Sequence, residues 1–446
     1  MLSFLFTSEV LTGKIHRQSF HFTRNMEAPS RRLATNAIVG LLSLPHHPVF
    51  TNFTARHLLD ASELILPPPL MPATPMYGRP PQEVVIDWLG VRVPRELYCH
   101  ISYYRQRIAH AMRVQLCDLL RWAGGNKNAF PLSLPLPVVA EEYFEVVDTL
   151  EAVVEYVRGP RGRSFTMLEI GAGFGYWTLT AHAALRQLLG AANLAYEYTL
   201  VEIDYAKQQS LRTTLSLNGL DKARARIVHA AMGDRDEAGG AVQNGNPGWY
   251  AVYSCDSVQA HVHRDGNACA SKRFFSPKEA RDMIGIRKQG GAVADVISLP
   301  TLLAPYALVD FVDMDAQGAE WLLFNATASP AALLARQALD AKVLRVHIGT
   351  HDEPDERGSG HLGRRRLTLK EAALVEGFEQ RGWSPSFLMG VTGDQGSCTR
   401  DAERGTARRS PWGPVCMADG ALSFVNQRLR RRLATRRRRA DGAERR

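Results

Sequence analysis

The sequence predicts an open, doubly wound α/β fold of Rossmann-like type, a mostly parallel sheet with helices on both faces that follows a helical N-terminal extension. Three observations predict it. After Gly159-Pro160-Arg161-Gly162, short apolar runs alternate with helix-like stretches, the pattern of parallel strands covered on both faces. One run, Met167-Leu168-Glu169-Ile170, ends in a glycine turn, Gly171-Ala172-Gly173-Phe174-Gly175. A later run, Tyr198-Thr199-Leu200-Val201, ends in Glu202-Ile203-Asp204.

Taken in order, residues 1–66 form an N-terminal region whose first part, residues 1–45, carries Lys14, Arg17, Arg24, Arg31 and Arg32 against only Glu9 and Glu27. This reads equally as a floppy terminus or as an organellar targeting segment. Prolines 67, 68, 69, 72, 75, 80 and 81 exclude helix and central strand, so 67–81 is a linker. Apolar residues recur at helical spacing over 96–122 and 141–157, which makes 82–160 a helical extension or lid. Strands are predicted over 165–170, 198–203, 226–229, 308–314 and 343–348 of an α/β domain spanning 161–427. The Gly, Asn and Asp content of 235–267 predicts a long irregular insertion at the ligand-facing edge, and 411–414 with 419–424 read as closing strands.

With 446 residues, 45% of them hydrophobic, the chain can bury a large core, and its length suggests two folded units. No apolar run approaches the roughly 20 residues needed to cross a bilayer. The net charge of +9 is concentrated at one end: residues 428–446 hold ten arginines against Asp441 and Glu444, and read as a disordered, solvated tail rather than a binding face. The six cysteines are scattered, without a C-x-x-C pair, and read as reduced thiols of an intracellular protein, cytoplasmic unless the N-terminus directs it to an organelle.

The glycine turn closes a strand and opens a helix, where open α/β sheets bind nucleotide-like ligands. A dinucleotide fingerprint needs a glycine at 176, but Tyr176 stands there and the third glycine is Gly175. That spacing favours S-adenosylmethionine over a nicotinamide dinucleotide. Gly171, Gly173 and Gly175 would let the backbone approach the ligand, Glu169 would organise its ammonium group, and Glu202 would accept both ribose hydroxyls.

Four segments resemble the FkbM family of methyltransferases. They are the glycine loop 168–177; the acidic strand end 200–204 with Leu217-Asn218-Gly219-Leu220 and His229-Ala230-Ala231-Met232-Gly233-Asp234; Val309-Asp310-Phe311-Val312-Asp313-Met314-Asp315-Ala316-Gln317-Gly318-Ala319-Glu320, preceded by Val296-Ile297-Ser298-Leu299; and Val343-Leu344-Arg345-Val346-His347-Ile348-Gly349. The fourth departs from the family, which more often carries an acid there. The resemblance spans 165–349 and implies a class I methyltransferase fold with a seven-stranded sheet, a cofactor site that includes Ala231, and methyl transfer, usually to oxygen.

A hydroxyl acceptor must lose a proton, and the strand ends offer Asp315, for positioning, and His347, as base, with Glu320 a further candidate. Each has a plainer role: Asp315 caps a helix, His347 is a core histidine, Glu320 complements a helix dipole. His347, His351 and Asp352 have a chelating spacing only on a helix, and Gly349 and Pro354 favour a loop, so the main reading requires no metal and metal-assisted transfer stands as its alternative. The expected acceptor is a small molecule or glycan. Two other readings stand: an RNA or protein methyltransferase that uses the arginine tail, and a catalytically silent fold that serves as an interaction module.

Overall fold

The computed structural model describes residues 47–53, 58–59, 84–94, 97, 132–133, 141–160, 162–233, 235–243, 250–252, 293–316, 320, 330–350, 369–389, 408–410, 413–415 and 420–444. Helix α1 (Glu141–Arg158) leads into strand β1 (Phe165–Ile170), α2 (Tyr176–Leu189), β2 (Tyr196–Val201), α3 (Tyr205–Leu217) and β3 (Ala225–Val228). There follow β4 (Ala230–Gly233), β5 (Glu237–Gln243), β6 (Tyr250–Val252), β7 (Val293–Ser298), α4 (Leu299–Leu303), β8 (Phe311–Met314), α5 (Pro330–Lys342) and β9 (Arg345–Thr350). The chain ends with α6 (Leu369–Gln380), β10 (Trp383–Met389), β11 (Gly420–Asn426) and α7 (Gln427–Glu444).

Seven strands form the main sheet in the order β10-β11-β9-β8-β1-β2-β3. The five from β3 to β9 run parallel, and β11 runs antiparallel to both β9 and β10. A parallel central sheet must bury both faces, and β1, β8 and β9 are buried throughout. One face carries Phe165, Met167, Tyr198, Leu200 and Phe311 against Phe144, Val147 and Leu150 of α1 and Leu179 and Leu185 of α2. The other carries Leu168, Ile170, Val312, Met314, Val346 and Phe424 against α4, Leu339 of α5 and Phe378 of α6. Period-two alternation thus divides every central strand between two cores.

The expected sheet and its helices on both faces are present, with several local corrections. Helix α1 lies on the sheet itself, its residues 143–150 all buried. Ahead of it, Val84–Ile86 and Arg92–Pro94 form an antiparallel hairpin where a helical segment was expected. The tight turn at Asp87 explains this: its carboxylate accepts the amides of Leu89, Gly90 and Val91, each at 2.9 Å, an Asx-type turn that closes a hairpin. The predicted helix over 96–122 lies outside the described residues, apart from Leu97.

The segment expected as irregular insertion contributes β5 and β6, which join β7 and β4 in a second sheet of order β6-β5-β7-β4. The run of small residues Ala238-Gly239-Gly240-Ala241 has low strand propensity and becomes a strand because β7 offers a partner edge. Of the two closing strands expected, 419–424 is present as β11 in the main sheet, whereas Gly413–Val415 pairs with Arg408–Ser410 as a separate ribbon and β10 takes the remaining place. Finally, the arginine segment is helical rather than disordered. Asn426 Oδ1 caps its first turn by accepting the Leu429 amide at 2.9 Å, Leu429 is buried, and Arg430 pairs with Glu155 of α1. Arginine is also a good helix former.

Candidate functional site

The glycine loop sits where β1, β2 and β8 end. Asp313 and Met314 of β8 pair with Glu169 and Ile170 of β1, and the Asp315 amide donates to the Ile170 carbonyl at 2.9 Å. This draws Gly171 (φ +82°) onto the Asp315 backbone so closely that a Cβ would stand 1.9 Å from the Asp315 carbonyl oxygen. The amides of Gly171 and Ala172 donate to the Val201 carbonyl at 3.0 and 2.9 Å, which ties the loop to β2. At Gly173 (φ +56°) no atom of the described residues lies within 4 Å of a Cβ built there. The loop is therefore packed on its inner side at Gly171, while at Gly173 no described residue crowds it, which gives it the form of a cradle.

Glu202, at the end of β2, completes the rim. Its Oε2 accepts the Gly173 amide and its Oε1 the Asp204 amide, both at 2.7 Å, while Gln208 Nε2 donates to its carbonyl at 2.7 Å. Burial raises its pKa, and Lys207 opposes the rise. Each carboxylate oxygen keeps a lone pair beyond the loop bond. Glu169 is buried behind the loop, its Oε2 accepting the Thr178 amide in the first turn of α2 at 2.9 Å. Burial pushes its pKa up to about 7 against those hydrogen bonds. Tyr176, which takes the place of a fingerprint glycine, sends its hydroxyl to Asp87 Oδ2 at 2.7 Å, locking the N-terminal hairpin to the base of the cradle.

The other sequence-selected residues lie as follows. Ala231 is buried in β4 against Ala294 and Val296, with Ile203 packed beside it, next to the Glu202 end of β2. Asp315 is half-buried at the end of β8, against Gly171. Glu320 is fully buried. His347 is not at the ligand-facing rim but inside the sheet under α1, 1% exposed, with Nδ1 2.7 Å from Asp148 Oδ2. The register explains it: β9 continues through Thr350, so position 347 is a mid-strand site facing the helix. The structure thus gathers Glu169, Gly171, Gly173, Gly175, Glu202 and Asp315 around one loop and sets His347 in a different environment.

That environment is a buried polar layer which sequence reading missed. Arg345 donates to Asp148 Oδ1 at 2.7 Å and to Glu155 Oε1 at 2.8 Å, and lies 2.7 Å from Glu151 Oε2. Ser423 Oγ donates to Asp148 Oδ1 at 2.6 Å. These acids, with Arg345 positive well beyond any working pH, tie α1 to β9 and β11. Their signal was legible: Glu145, Asp148, Glu151 and Glu155 recur at helical spacing along one stripe of an otherwise apolar helix. Asp313 carried no local signal.

No protein-family model and no curated protein matches the chain. Among solved structures, it is similar to an S-adenosylmethionine-dependent methyltransferase from Agrobacterium tumefaciens (12% identity, 67% of this chain and 66% of that one, TM-score 0.29). It is also similar to a human methyltransferase 10 domain containing protein (11% identity, 71% and 97%, TM-score 0.28). A third is a Burkholderia thailandensis protein bound to S-adenosyl-homocysteine (13% identity, 63% and 74%, TM-score 0.24). The sheet order described above, with antiparallel β11 inserted between β9 and β10, is the class I methyltransferase fold.

Proposed function

We propose that the chain is an S-adenosylmethionine-dependent methyltransferase acting on a hydroxyl of a small molecule or glycan. The observation that carries this reading is the cradle: Gly173 uncrowded by any described residue, with the Glu202 carboxylate fixed at its rim by the Gly173 and Asp204 amides. Those residues fit the donor. Glu202 would accept the ribose hydroxyls with its spare lone pairs, the loop would approach the methionine portion, and Glu169 behind it would favour the ammonium. Ala231 would flank the adenosine side. The donor supplies an electrophilic methyl carbon on a sulfonium. Asp315, at the end of β8 beside Gly171, would orient the acceptor hydroxyl and hold its proton. The four segments that resemble FkbM methyltransferases support the same reading, and the buried place of His347 moves the choice of base to Asp315.

Calorimetric titration with S-adenosylmethionine and S-adenosylhomocysteine, with NAD as control, tests the proposal. Binding in the micromolar range, about −8 kcal/mol, is expected for the sulfur ligands, weakened at least tenfold in Glu202→Gln and absent for NAD. A folded protein that binds neither sulfur ligand would leave the interaction-module reading in its place. A second reading, an RNA acceptor, is favoured by the helical presentation of the arginines in α7. Replacing Arg436, Arg437, Arg438 and Arg439 by Gln should then flatten the salt dependence of RNA binding; a hydroxylated small-molecule acceptor predicts no change.

A further inference from the structure

We propose that Glu145, Asp313 and His347 bind one divalent first-row transition cation, of which zinc is the type, between helix α1 and the main sheet. The inference stands independently of the methyl-transfer reading. It starts from register: Glu169 pairs with Asp313, Asp313 with His347, and His347 with Ser423. In-register neighbours project to the same face, so four adjacent strands present a row of polar side chains toward α1. Glu145 and Asp148 stand three residues apart on that helix, on one stripe.

One ligand atom each from Glu145, Asp313 and His347 lies within 4.8 Å of the other two, and all three residues are buried. Bonds of about 2.0–2.2 Å to a common ion require the atoms to draw together by about an ångström. Side-chain rotation can supply that.

Two independent observations point to a cation rather than to a mere acidic cluster. Asp313 is 1% exposed, and neither of its carboxylate oxygens has a hydrogen-bond partner among the described residues. Such a group is costly to bury unless a partner is bound there. His347 is prepared as a ligand: Asp148 Oδ2 holds its Nδ1 at 2.7 Å, leaving Nε2 for a metal, the carboxylate–histidine arrangement that fixes the ring in metal sites. Asp148 is itself fixed by Arg345 and Ser423. The Arg345 guanidinium meanwhile is engaged by Asp148, Glu151 and Glu155, so it does not neutralise Asp313.

The donor set chooses among ions. An imidazole nitrogen with two carboxylate oxygens suits zinc, and also manganese, cobalt or iron(II); calcium and magnesium take oxygen ligands. Three protein ligands leave the fourth position of a tetrahedral ion for water. The site lies one residue before the carboxyl ends of β1 and β8, behind the glycine loop, where the ion would bind α1 to the strands that carry the cradle.

The test uses the full chain, free of any affinity tag, stripped with EDTA and titrated with Zn²⁺, Co²⁺ and Mg²⁺. We expect one Zn²⁺ per chain by calorimetry and elemental analysis, a visible d–d absorption band with Co²⁺, a raised melting temperature with Zn²⁺, and no saturable Mg²⁺ binding. Asp313→Asn, close to isosteric, should weaken Zn²⁺ binding about 100-fold or more, and Asp148→Asn by roughly 10–100-fold through the ring it positions. His347→Gln provides the same readout if Asp313→Asn does not fold, with circular dichroism establishing folding in each case. A folded wild-type chain that takes up no Zn²⁺ at micromolar concentration overturns the proposal. So does Zn²⁺ binding that is unchanged in both folded ligand variants.

Discussion

Replacing Gly171 by alanine should destabilise the protein far more than the same change two residues later, because the two glycines serve different neighbours. At Gly171 (φ +82°) a Cβ would lie 1.9 Å from the Asp315 carbonyl oxygen, a backbone atom that cannot rotate away. Hard-sphere contact is about 3 Å, so the end of β8 must move by about an ångström. The left-handed conformation adds about 1–2 kcal/mol. Losing the hydrogen bond from the Asp315 amide to Ile170 adds about 1 kcal/mol more. With the clash only partly relaxed, the total is about 3–5 kcal/mol, a severe effect for one methyl group. At Gly173 (φ +56°) no described residue lies within 4 Å of the new Cβ, so Gly173→Ala carries the conformational cost of about 1–2 kcal/mol. Its Cβ would instead occupy the outer side of the cradle and weaken S-adenosylhomocysteine binding at least tenfold. Urea denaturation followed by circular dichroism measures the first quantity and calorimetry the second. Equal stability of Gly171→Ala and Gly173→Ala would refute the packing argument.

Two further outcomes are expected. His182, buried in α2 against Tyr196 with ring centroids 4.9 Å apart, is held down to about 4, chiefly by burial and secondarily by Arg186. Its unfolded value is about 6.5, so unfolding takes up a proton. Stability is therefore complete above pH 6.5 and declines as pH falls toward 4; between pH 7.5 and 4.5 wild type should lose about 2–3 kcal/mol more than folded His182→Gln, and parallel pH curves for the two would count against it. Asn426→Ala removes an amide that donates to the carbonyls of Asp340 and Val343, each at 3.0 Å, together with the cap of α7. The expected loss is about 2–4 kcal/mol in urea denaturation, and a loss under 1 kcal/mol would mean that water replaces the amide.

How much of this was legible in the sequence depended on the range of the interaction that produced it. The strand–glycine turn–helix unit at 165–189 was readable because each part is local: apolar run, positive-φ glycines and helix follow one another along the chain. The acid at the end of the next strand was readable for the same reason, whereas its hydrogen bond from the Gly173 amide came only with the tertiary structure. Local patterning failed where a partner decides the outcome. β5 is a strand because β7 offers it an edge. The first turns of α7 are held because Asn426, Leu429 and Arg430 attach them to the body.

The buried layer is the clearest division. By itself the sequence determined that an acidic stripe runs along α1 and that His347 and Asp313 belong to strands. Only the tertiary structure decided that β8 and β9 pair in a register that sets those two side by side under Glu145. Register and sheet order come from the packing of whole elements, and residues separated by 34, 168 and 202 positions acquire a common chemistry through nothing in their own neighbourhoods.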